Sequence, residues 1–197
     1  MSAPLGQTPS QTVGPFFAYG LVPTQYGYDL PSLFGPCLAE GRTPGEPIEI
    51  RGRVLDGEGR PVVDALVEIA HADAQGRRPS SPSEVAASGF RGFGRMGTGT
   101  LPGGGFAFRT IKPGRGDDGL APHVDMIVTM RGLLGHVFTR LWFDDEPQAN
   151  AADPLLASVP AERRATLVAR REAQPGGVVY RFDVVMQGES ETVFFDL

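Results

Sequence analysis

The stretch EIRGRVLDGEGRPVVDALVEI, residues 49–69, decides the fold. With Ile48 just ahead of it, Ile50 and Val54 alternate with Glu49, Arg51 and Arg53, the two-residue period of a strand buried on one side. Asp56-Gly57-Glu58-Gly59 then supplies a run of turn formers. From Asp64 to Ala72 the alternation resumes, placing Ala65, Val67, Ile69 and His71 on one face. Strands with one apolar face must bury it against a second layer, so this stretch predicts sheet-on-sheet packing.

Working outward, the pattern recurs. Phe106, Phe108 and the chain to Ile111 read as another strand, and His123–Arg131 and Val137–Phe143 read as a hairpin across Gly132–Gly135. Residues 178–187 and 192–195 read as the last strands, while 73–104 read as mostly loop and 112–121 as a loop. One helix is expected over 159–172 (VPAERRATLVARRE), because Pro160 suits a first helical turn and Glu162 would sit at the positive end of the dipole. Residues 1–45 lack a period and are interrupted by prolines, yet they carry Phe16, Phe17, Tyr19, Tyr26, Tyr28 and Phe34. A disordered tail would be poor in aromatics, so this segment reads as an ordered arm lying on another surface. The expected fold is mainly β: one domain over 1–197, an antiparallel β-sandwich with long loops over 46–197, an N-terminal arm and one helix near 159–172.

Composition narrows the function. Apolar residues make up 41 % of the 197 and charged residues 21 %, as in soluble globular proteins. The net charge of -5 argues against non-specific nucleic-acid binding, which needs a basic surface. Lys112 is the single lysine, so the other basic side chains are arginines, which suit fixed, forked contacts. A lone cysteine, Cys37, forbids an internal disulfide and favours a reducing compartment. Without a signal-peptide pattern or an apolar run of about 18 residues, the expectation is a cytoplasmic protein with no membrane contact.

Few constellations can carry chemistry. Gly103-Gly104-Gly105 has neither a following helix nor an adjacent Lys-Ser/Thr, so it is not a phosphate loop. The histidines are His71, His123 and His136, and no Gly-x-Ser-x-Gly elbow accompanies them. His123-Val124-Asp125 is the sharpest signal, since residues i and i+2 of a strand share a side. With His71 or His136 it could form the two-histidine, one-carboxylate face of a non-haem iron site. Equally, the histidine and carboxylate could simply satisfy each other.

Several stretches resemble the intradiol ring-cleaving dioxygenases: TPSQTVGPFF (8–17), residues 49–69, FRGFGRMGT (90–98), FAFRTIKPG (106–114), TRLWFDDE (139–146) and YRFDVVMQGESETVFFDL (180–197). They recur in order over almost the whole chain. The resemblance implies a β-sandwich with an N-terminal arm and long loops. It also implies a reaction in which both atoms of O₂ enter a catechol ring that opens between its hydroxyls. Catalytic members hold Fe(III) with two tyrosines and a His-x-His pair. Here Asp125 stands where the second histidine belongs, and no tyrosine lies between Tyr28 and Tyr180. Three of four ligands are thus lost, the pattern of the iron-free chain in members built from paired αβ units. That implies no catalytic or metal-binding residue in this chain, with His123 and Asp125 as remnants. It implies a homologous catalytic β subunit as partner, Fe(III) in that β subunit, and protocatechuate (3,4-dihydroxybenzoate) as the aromatic substrate. By motif match, Thr12, Gly14, Pro15 and Arg131 would border the partner's substrate cavity. Two other readings stay open: a homo-oligomeric iron oxygenase built on His123 and Asp125, and a transthyretin-like binding module.

Overall fold

The computed structural model describes Gly6, Pro9 and residues 11–14, 16–116 and 119–196. Ten strands run through it: β1 (Pro47–Gly52), β2 (Val54–Leu55), β3 (Leu66–Ala70), β4 (Phe93–Gly97), β5 (Phe106–Ile111), β6 (His123–Thr129), β7 (Val137–Phe143), β8 (Val168–Gln174), β9 (Gly177–Arg181) and β10 (Val184–Val185). Eight of them form one sheet in the order β4-β3-β6-β7-β8-β9-β1-β5, and β2 pairs with β10. Within the eight, pairing is antiparallel except at β7/β8 and β1/β9.

The sheet folds over at β8, which touches β7 at only two residue pairs, Trp142↔Val168 and Phe143↔Ala169. Edge strands β4 and β5 come close together, so the sheet nearly closes. Between the two halves lies one core, with Val67, Ile69, Val124, Met126 and Val128 facing Ile48, Ile50, Phe106, Phe108 and Tyr180. The alternation in 49–69 is therefore a core alternation: Ile50, Val54, Ala65 and Val67 are fully buried. The turn between them closes on Asp56, whose Oδ1 accepts from the amides of Glu58 and Arg60 at 2.9 Å each. No helix among the described residues is long and apolar enough to cross a membrane.

Three expected elements differ. Residues 159–172 do not form a helix. A 3-10 turn spans Arg164–Leu167, and β8 begins at Val168. Its apolar residues Leu167, Val168 and Ala169 are consecutive, so a helix would spread them around its circumference. β7 and β9 instead offer unpaired backbone on both sides, and strand pairing wins over intrinsic propensity. Residues 73–104 are not only loop, since they contain α2 (Pro82–Ser88) and β4. Residues 192–195 contribute one bridge, Phe195 to Phe138, not a strand. The other helices are short: α1 (Phe16–Leu21), α3 (Pro147–Ala152) and α4 (Pro154–Ser158).

The described part of the N-terminal arm lies on this chain's own sheet. Ala18 and Val22 bury against Leu66 on the outer side of β3, with Leu21 and Tyr26 beside them. Gln25 clamps the end of β4: its side chain donates to the Gly97 carbonyl at 2.7 Å and accepts from the Gly97 amide at 2.9 Å. Gly97 is needed there, because a Cβ would meet the Tyr26 hydroxyl at 2.1 Å. The outward side of the arm stays apolar and exposed at Phe16, Tyr28, Leu30 and Leu33.

Candidate functional site

The residues singled out by sequence gather at the two ends of β6. Its burial alternates strictly, with Val124, Met126 and Val128 in the core and His123, Asp125, Ile127 and Thr129 half-buried on the other side. Arg131 continues that second side just beyond the strand. Arg131 lies eight positions along the chain from His123, two beyond the end of β6, at most roughly 25 Å away at about 3.3 Å per residue.

At the His123 end, Asp125 is held by two arginines. Its Oδ1 accepts from Arg140 Nε at 2.8 Å, and its Oδ2 accepts from an Arg78 Nη at 2.6 Å. Arg140 arrives from β7 because the hairpin register places it opposite Asp125. Arg78 arrives from a turn built on Asp73, whose Oδ1 accepts from the amides of Gln75 and Arg77. The His123 Nδ1 donates to the Ala121 carbonyl at 2.7 Å, while its Nε2 lies 4.0 Å from Asp125. Ala121 is fixed in turn by Asp153, which is fully buried and accepts from the amides of Ala121 and Leu156 and from the Trp142 indole. Asp145 and Asp153 lie below the ordinary carboxylate range against the opposing pull of burial, Asp145 chiefly through Lys112 and Asp153 chiefly through backbone amides.

His71 lies beneath this cluster with no exposed surface. Its Nδ1 donates to the Ala72 carbonyl at 2.7 Å, so its Nε2 accepts from the Thr110 hydroxyl at 2.8 Å. Burial, reinforced by the charge of Arg78, holds His71 down at about 4. Burial also depresses His123, with the Arg140 charge adding to it.

These residues do not fit an iron ion. Both His71 nitrogens are engaged, His136 is exposed at the far end of the hairpin, and Asp125 is already paired with two guanidinium cations. A ferric ion there would face two like charges in place of anionic donors. Among the described residues, no group of three or more His, Cys, Asp or Glu side chains is arranged to hold a metal.

The neutral His71 makes stability depend on pH. An unfolded histidine titrates near 6.5, whereas folded His71 resists protonation down to about 4. The unfolded state therefore binds the extra proton between these values, so stability is full above about 6.5 and falls as pH drops through that window. The expected loss is about 3 kcal/mol by pH 4, at about 1.4 kcal/mol per unit. Denaturant titrations of the assembled protein across pH 7 to 4 should show this slope, and His71→Gln should flatten it by about one proton. An unchanged slope in the variant would assign the acid sensitivity to other groups.

At the other end of β6, the structure brings Thr12 to Gly132, the residue after Arg131. The Thr12 hydroxyl accepts from the Gly132 amide at 2.8 Å, and Gly132 turns the chain with φ 90°. The Gly14 carbonyl accepts from the Phe17 amide at 3.0 Å, starting α1. Pro15 lies outside the described residues. Arg131 is two-thirds exposed, and its Nε lies 3.1 Å from Asp64 Oδ2. Sequence reading missed Asp64, Arg78 and Arg140. Only Arg140 had a readable signal, as the cross-strand neighbour of Asp125 once the hairpin is drawn.

The dioxygenase family profile matches residues 35–188. The chain is 60 % identical to the protocatechuate 3,4-dioxygenase alpha chain of Burkholderia cepacia over 98 % of both chains. It is 31 % identical to the beta chain from the same organism, over 79 % of this chain and 71 % of that one. Among solved structures, the dioxygenase domain of a dioxygenase carbohydrate-binding protein fusion from Streptomyces sp. SirexAA-E shares the fold, with TM-score 0.59 and 24 % identity over 80 % of this chain and 88 % of that one. The match from residue 35 to 188 is broader than a small transthyretin-like module would give. The chain belongs to this dioxygenase family, and within it stands with the protocatechuate 3,4-dioxygenase alpha chains.

Proposed function

We propose that this chain is the iron-free α subunit of a cytoplasmic protocatechuate 3,4-dioxygenase. It works beside a homologous β chain that holds Fe(III) and opens protocatechuate between its hydroxyls to 3-carboxy-cis,cis-muconate. One observation carries the reading. Thr12 holds the Gly132 amide beside the exposed Arg131, just beyond the end of β6 opposite this chain's own His123 and roughly 25 Å from it. A substrate group at that distance cannot serve the remnant centre of its own chain, so it serves a neighbour's. Thr12, Gly14, Pro15 and Arg131 then line the neighbour's substrate cavity, where Arg131 supplies a fixed positive charge for the ring carboxylate. The exposed apolar side of the arm, at Phe16, Leu30 and Leu33, supplies contact area for that neighbour.

The test is to produce the chain alone and together with its catalytic partner. Alone, it should carry no stoichiometric iron and no tyrosinate-to-Fe(III) absorption band. Together, the two should give one mixed species on sizing, with iron and ring-cleaving activity. About one iron per chain in the isolated protein, or a stable monomer that ignores the catalytic chain, would refute the assignment.

A further inference from the structure

We infer that Asp64 is a positioning residue for the substrate carboxylate, anchoring Arg131 through Nε so that the Nη edge of the guanidinium is presented to the ligand. This rests on the reading of Arg131 as a substrate contact and extends it to a residue whose role no motif suggested. Asp64 precedes β3 and falls opposite Arg131 when the β3/β6 register, Leu66↔Thr129, is continued by two residues. Its side chain is 12 % exposed, whereas that of Arg131 is 66 % exposed. The carboxylate is thus the fixed partner and the arginine the presented one. Arg140 offers the contrast: it gives both Nε and Nη2 to Asp125 Oδ1, so its fork is consumed inside the chain.

A structural salt bridge would not be built as this one is. Oδ1 of Asp64 is buried with no hydrogen-bond partner among the described residues. That oxygen is left open toward the rim where Arg131 is presented. A further buried atom without a hydrogen-bond partner among the described residues, Thr129 Oγ1, sits on the same outer side of the sheet, and nearby Tyr26 has its pKa raised by burial, with Tyr19 and Asp64 adding to it. The arm pins this corner a second time, through Thr12 on Gly132. Thr12 thus holds the backbone next to Arg131, while Asp64 holds its Nε side by an ion pair.

The experiment is a double-mutant cycle on the assembled enzyme: Asp64→Asn, Arg131→Ala and both together, assayed with protocatechuate and with catechol, which lacks the carboxylate. Asp64→Asn should raise KM for protocatechuate about fivefold, the upper end for an ion pair with one exposed partner. It should leave kcat and the catechol KM within twofold and shift Tm little, since an ion pair with one exposed partner contributes little to stability. The double variant should be no worse than Arg131→Ala. If Arg131→Ala raises KM but Asp64→Asn leaves it unchanged, or if the two effects multiply, Asp64 does not position Arg131. A lowered Tm with equal losses for both substrates would make Asp64 merely structural. If Arg131→Ala itself leaves KM unchanged, the underlying reading of Arg131 fails, and the role of Asp64 falls with it.

Discussion

Asp125→Ala is expected to lower the stability of the assembled protein by roughly 3 kcal/mol. The carboxylate holds two arginines, and their surroundings decide the cost. Arg140 is only 11 % exposed, against 48 % for Arg78. Without Asp125, Arg78 can swing into water at little cost. Arg140 cannot, and its guanidinium is left near the Trp142 ring, 5.8 Å from the centroid, and the half-buried His123. A stranded buried charge costs more than its pair contributed. Asp125→Ala/Arg140→Ala should therefore recover part of the loss, because no uncompensated cation remains. Urea titration of the co-expressed complex provides the measurement. A single variant within about 0.5 kcal/mol of the parent would show that water reaches Arg140 freely. Asp125→His, the change toward the catalytic pattern, should be similarly destabilising and should bring no iron, since the arginines and the missing tyrosines remain.

The strands were readable where one side faces the core and the other faces polar surroundings. β1, β3 and β6 meet that condition, and so does the hairpin to β7. β4 does not. Its glycines answer to close neighbours on both sides: on the outer side a Cβ at Gly97 would meet Tyr26, and on the core side, where Gly94 pairs with Ile69, a Cβ would meet Leu38 Cδ1 at 2.4 Å. A strand whose side chains are removed to admit another segment has no alternation left to read. β8 was hidden differently, because alanine, arginine and glutamate favour a helix locally while the neighbouring strands impose a ladder. α2 was legible and passed over. Ser81 caps it and accepts from the Glu84 amide at 3.3 Å, Pro82 fills the first turn, and Gly89 closes it in the left-handed region with φ 70°. For the site, Thr12 and Arg131 were named by resemblance, but the Thr12 contact beside Arg131 depends on the arm folding back over 120 residues of sequence. Asp64 has no signature of its own and becomes visible only through the register of β3 against β6.

Arg131→Ala in the assembled enzyme should raise KM for protocatechuate far more than it lowers kcat. The guanidinium stays charged at every working pH, and protocatechuate carries a ring carboxylate at neutral pH. A charge-assisted hydrogen bond between them is worth about 1.5–3 kcal/mol, which corresponds to a roughly 10- to 150-fold rise in KM. Because two-thirds of the Arg131 side chain is exposed in the isolated chain, the partner must cover it for the upper end to be reached. A contact that remains wet would fall near tenfold. The interaction is made equally in the ground and transition states, since the carboxylate lies across the ring from the hydroxyls between which the bond breaks. It therefore lowers KM without accelerating the chemical step. Iron content and assembly should be unchanged, because the residue lies beyond the end of β6 and outside the core. Catechol supplies the control: without a carboxylate, its KM should move by less than about twofold. Equal damage to both substrates would mean that the variant has disturbed the αβ contact, and an unchanged KM for protocatechuate would return Arg131 to the status of a solvated charge paired with Asp64.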